Sequence, residues 1–182
     1  MSIFKKTIIV AISIIVALFI VFTIVLWMYD GELFFMAPSY NKTDRFLKTN
    51  INELSYVANE LSEMDYETIK ISTIPIREED RNSMRVTRES LGYETIPIPN
   101  ELIEHINALY ESGIQYISCG GGFVNFTMWS TMDESRGIIY SDNGTKPDGE
   151  QLIKVSTLSE DNWYYYVHNY EKAKARNPER FK

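Results

Sequence analysis

The sequence predicts an α+β protein with an N-terminal transmembrane helix, followed by one domain in which two helices pack on an antiparallel sheet. Three observations lead there. Thr7 to Met28 is an uncharged, almost wholly apolar run. Two later segments repeat apolar residues every three to four positions, and from Ile114 onward the repeat changes to two. Helices followed by strands, rather than alternating with them, favour α+β over a parallel βαβ sheet.

As a helix the first run is about 33 Å long, enough to cross a hydrocarbon core of about 30 Å. Hydrocarbon leaves no partner for a free backbone amide, so the run must be helical despite its many isoleucines and valines. Lys5 and Lys6 precede it, whereas Asp30 and Glu32 follow it, which puts the N-terminus in the cytoplasm and the remainder outside. Lys42, Arg45 and Lys48 reduce that asymmetry without reversing it. A cleaved signal peptide would have a shorter apolar core ending in small residues. This run ends in Trp27, Met28 and Tyr29, so a retained anchor is the expectation. The chain then divides into a cytoplasmic N-terminus (1–6), a transmembrane helix (7–28), a juxtamembrane connector (29–40), an extracytoplasmic α+β domain (41–170) and a polar tail (171–182) that should fray.

Within the domain, Leu47, Ile51, Leu54, Ala58 and Leu61 form one helical stripe over 43–64, with Thr43 or Asp44 as the N-cap. Residues 68–76 alternate as a strand that Pro75 confines to an edge or an end. The charged stretch 77–89 is expected to be a solvated loop or short exposed helix, and 92–99, with its two prolines, an extended piece outside the sheet centre. A second helix over 100–112 carries Leu102, Ile103, Ile106, Leu109 and Tyr110, with Asn100 as its cap and Gly113 just beyond its end. Two strands then flank Gly120, Gly121 and Gly122 as a hairpin. Strands at 137–141 and 163–168 follow, with a packed segment around Leu152 to Leu158 between them. In the last strand, alternation sets Trp163, Tyr165 and Val167 against Tyr164, Tyr166 and His168.

Composition narrows the function. All 25 acidic residues lie from Asp30 onward, with every basic residue except Lys5 and Lys6. That segment is therefore more acidic than the chain's net −7, which argues against nucleic acid as a partner. Cys119 is the single cysteine, so no intrachain disulfide can form. His105 and His168 have no metal-binding spacing, and no metal or other cofactor is expected. The sequons at Asn41, Asn125 and Asn143 read as coincidence. The triple glycine leads into a strand rather than a helix, so a turn is expected there instead of a phosphate cradle. Cys119 is expected to be a buried structural residue; as a nucleophile it would need a histidine beside it. Tyr140, Tyr164 and Tyr166 are the candidate ligand-binding residues, because a tyrosine ring and hydroxyl on an open sheet face suit sugar, peptide or protein contacts.

The single anchor together with G-I-I-Y-S at 137–141, the turn at 142–147 and N-W-Y-Y-Y at 162–166 resembles small single-pass membrane proteins of Gram-positive bacteria that have no assigned activity. The similarity covers the C-terminal third and the general layout. It implies a bacterial plasma membrane and assigns no residue a role. The expected function is a tethered extracytoplasmic binding module, partnered by the bilayer and by an envelope protein, a peptide or a cell-wall sugar. A membrane immunity protein that neutralises a toxin is the alternative, and a Cys119 hydrolase ranks last.

Overall fold

The computed structural model describes residues 37–72, 82–88, 92–149 and 151–176, and before them only Val16, Phe19 and Val21. The expected span over 7–28 and most of the connector therefore lie outside the described residues. Among the described residues no helix is long and apolar enough to cross a membrane. The chain divides into two compact units, Met1–Ala37 and Pro38–Lys182, and the second holds the α+β domain.

That domain is built from helix α1 (Tyr40–Glu63), strands β1 (Thr68–Ser72), β2 (Ser83–Thr87) and β3 (Tyr93–Pro97), helix α2 (Asn100–Glu111), strands β4 (Tyr116–Gly120), β5 (Phe123–Ser130), β6 (Glu134–Ser141), β7 (Leu152–Thr157) and β8 (Trp163–Asn169), and a short helix α3 (Tyr170–Arg176). The eight strands form one sheet in the order β3-β2-β1-β4-β5-β6-β8-β7, with every neighbouring pair antiparallel.

The first helix begins earlier than its apolar stripe suggests. Ser39, not Thr43 or Asp44, is its N-cap and accepts from the Lys42 amide, while the Thr43 hydroxyl donates back to the Ser39 carbonyl. The helix kinks at Asn50, whose side-chain amide donates to the Phe46 carbonyl in competition with the backbone ladder. Its inner stripe of Leu47, Leu54, Val57, Ala58 and Leu61 is wholly buried. This stripe crosses β8, β6, β5 and β4, and α2 packs beside α1 through Leu102, Ile106 and Leu109. Asn100 is the first residue of α2 rather than its cap; Pro99 holds the cap position and provides no side-chain bond.

The stretch expected to be a loop contains β2. Met84 and Val86 alternate inward at 2% and 0% exposure, so a two-residue apolar pattern is enough to seat a strand once β1 offers a partner. The piece at 92–99 is the edge strand β3, where Pro97 costs no interior ladder bond. Between β4 and β5, Gly121 and Gly122 have φ of 61° and 80°, the left-handed pair required by a two-residue hairpin turn. The third expected strand starts earlier, at Glu134. Residues 170–176 are helical rather than frayed, because Ala173 is buried and the Asn169 side chain accepts from the Lys172 amide.

Both helices α1 and α2 join a single core on one side of the sheet, with Ile69, Ile117, Phe126, Ile138 and Trp163 among the strand residues that meet them. Register then fixes what the other side displays. One row runs Arg85, Lys70, Ser118, Asn125, Ile139, Tyr164. The row on one flank is Tyr93, Thr87, Thr68, Gly120, Phe123, Ser141. On the other flank lies Ser72, Tyr116, Thr127, Gly137, Tyr166, Val155, and beyond it Ser130, Ser135, His168, Leu152. None of these residues is Asp or Glu.

Candidate ligand-binding face

The three tyrosines singled out by the sequence do not converge. Tyr140 belongs to the helix-covered side, where its ring lies 4.9 Å from that of Trp163 and its hydroxyl donates to Asn59 Oδ1. Tyr164 and Tyr166 face the opposite way, as the alternation in β8 requires. There they pack with Ile139, Phe123, Leu152 and Val155 and retain only 7% and 4% exposure. The loop after β6 comes back over Tyr164, whose hydroxyl donates to the Gly144 carbonyl. Of the three, Tyr166 alone borders the open groove.

That groove encloses about 330 Å³ on the helix-free side and is lined chiefly by Tyr116, Ser118, Asn125, Thr127, Tyr166 and His168. Its floor is fixed by the sheet register: Tyr116 stands opposite Thr127, and Ser118 opposite Asn125. The Tyr166 and Thr127 hydroxyls share a hydrogen bond of 2.8 Å that ties β8 to β5 across Gly137 of β6 and leaves each oxygen further hydrogen-bonding capacity. At the rim, His168 Nε2 contacts Gln151 Oε1, and burial lowers the histidine's pKa, so the ring is neutral at physiological pH. Burial pushes the Tyr116 hydroxyl up to about 12; the neighbouring Tyr93 adds to the rise and Arg85 opposes it. Tyr116 therefore keeps its proton and can donate.

Beside the groove lies a pair of cations. Lys70 and Arg85 are direct cross-strand partners, and Lys70 is in turn the partner of Ser118 in the groove. Lys70 Nζ donates to the Tyr93 hydroxyl at 3.0 Å and lies 5.0 Å from the centre of that ring. Sequence alternation turns Lys70 outward from Ile69 and Ile71, but nothing local shows that it meets Arg85, whose strand lies in a stretch expected to be a loop. The pair exists only because β2 joins the sheet.

Cys119 is on the other side of the sheet. Its thiol donates to the Leu61 carbonyl, 3.5 Å away, and burial raises its pKa to about 11, so it is a protonated thiol at neutral pH. His105 pairs through Nδ1 with Glu53 Oε2 and stacks on Tyr56 at 3.9 Å, a contact between α1 and α2. His168 belongs to the helix-free side. Neither imidazole is placed as a base for Cys119. Among the described residues no group of three or more His, Cys, Asp or Glu could hold a metal ion.

No family model matches the chain, and neither does any curated protein or any solved structure.

Proposed function

We propose that this chain is a single-pass membrane protein that displays its α+β domain outside the plasma membrane and binds a partner through the helix-free face of the sheet. The anchor rests on the uncharged run Thr7 to Met28 and on Lys5 and Lys6 before it. Val16, Phe19 and Val21 are helical with exposed apolar side chains, which suits a segment surrounded by lipid.

One observation carries the binding role: an open groove of hydroxyl, amide and phenol groups on the side of the sheet opposite the core that α1 and α2 join. Such a surface offers hydrogen bonds and ring faces to a ligand. The thiol that a Cys119 hydrolase would use lies across the sheet from the groove and from His168. Binding needs only the surface that is present.

Site-specific photocrosslinking in intact cells tests this. A photoreactive residue at position 118, in the groove, should give adducts, whereas one at the exposed Glu60 on α1 should not. Adducts only from position 60, or from neither, would overturn the binding face. Protease added outside intact cells should remove the domain, and full protection would overturn the topology.

A further inference from the structure

We propose that the helix-free face is built for an anionic glycan, with Lys70, Arg85 and the Tyr116 hydroxyl holding its carboxylate or phosphate group and the adjoining groove holding its sugar rings. This rests on the binding face proposed above and specifies what it takes.

Charge distribution is the first ground. The chain has 25 acidic residues and a net charge of −7, yet four successive cross-strand rows on this face contain no acid. The same rows bring Lys70 and Arg85 directly opposite each other. Like charges so placed repel and cost stability, and among the described residues no carboxylate lies within ion-pair distance of either. An anion between them removes the repulsion. It would receive charge-assisted hydrogen bonds from the guanidinium and the ammonium, and one from Tyr116, which burial keeps protonated.

The groove supplies the second ground. It continues from Tyr116 and Ser118 to Asn125, Thr127 and Tyr166, where hydroxyl and amide groups can pair with sugar hydroxyls. Tyr93, exposed and held by Lys70, offers a ring face for the apolar side of a pyranose. An acidic peptide fits less well. Peptides bind a sheet by adding a strand to a free edge or by filling apolar pockets. Here β1, β4 and β5 have both edges paired, and Leu152 is the one aliphatic side chain in the groove lining.

The test uses the full chain in detergent micelles, titrated with an oligogalacturonate and with an oligosaccharide phosphate. Each is compared with its neutral form, the methyl ester or the dephosphorylated sugar, and with an oligoglutamate peptide. At least one anionic sugar should bind on the order of tenfold or more tightly than its neutral form. K70Q and R85Q should each remove most of that difference, as should 0.5 M salt at roughly a 4 Å Debye length, while circular dichroism stays unchanged. Equal binding of charged and neutral sugars, or full affinity in K70Q and R85Q, would overturn the anion subsite. Tighter binding of the oligoglutamate would overturn the glycan class, and so would failure of both anionic sugars. Adducts at position 118 in cells, given by wild type and K70Q alike, would then show that the face still binds something else.

Discussion

His168 shows how one side chain gives the domain a pH dependence of known sign. Burial lowers its pKa in the folded state below the ordinary value of 6.5, so the unfolded chain takes up its proton first as pH falls. Its contribution to stability is therefore complete above about pH 6.5 and is lost as pH drops through the depressed folded value. The urea midpoint should fall with acidification in this window, and H168Q should flatten the dependence. An unchanged slope in H168Q would assign it to other groups. Tyr116 behaves differently: with its pKa near 12 it stays a neutral donor at every physiological pH, so the proposed anion subsite should not lose that donor.

At the level of elements, the most constrained contact is between β5 and β6. Gly137 lies opposite Thr127, beside the register shift between Thr127 and Trp129. A Cβ there would sit 2.0 Å from the Phe126 carbonyl oxygen, and that atom belongs to the backbone of a central strand. Gly137→Ala should therefore force the two strands apart and cost about 3 kcal/mol, the upper end of the usual overpacking range. Equilibrium urea unfolding measures it, and a wild-type midpoint would refute the close approach. The G-I-I-Y-S run was readable as a strand, but its first residue looked like a boundary glycine. It is instead an interior one, because β6 starts at Glu134 and continues through it. Elements with weak signals, β2 above all, take their form from the neighbour they pair with.

For the molecule as a whole, the second compact unit contains its own core. The α1 stripe, the α2 stripe and the inner strand residues form one cluster lying wholly within Pro38–Lys182. A fragment spanning 38–182 should consequently fold without the apolar N-terminal run, giving a cooperative urea transition and near-ultraviolet circular dichroism from its packed aromatics. A non-cooperative transition would show that the first unit is needed for folding. The chain entry is tied into this unit as well: Tyr165 donates to the Pro38 carbonyl and Tyr40 to the Thr157 carbonyl.

By itself the sequence determined the α+β class, both long helices, the strands β1, β4, β5 and β8 and the second half of β6, because apolar periodicity and glycine turns are local signals set by a few consecutive residues; β7 it marked only as a packed segment. It also determined that Tyr164, Tyr166 and His168 share a side, since alternation in a strand leaves no choice. Only the tertiary structure decided which side the helices would cover, that β2 and β3 would extend the sheet, and that Tyr140 would be separated from the other two tyrosines. It alone brought Lys70 to Arg85. Cross-strand partners are chosen by the register and order of distant segments, and that information is spread over the whole sheet rather than written beside either residue.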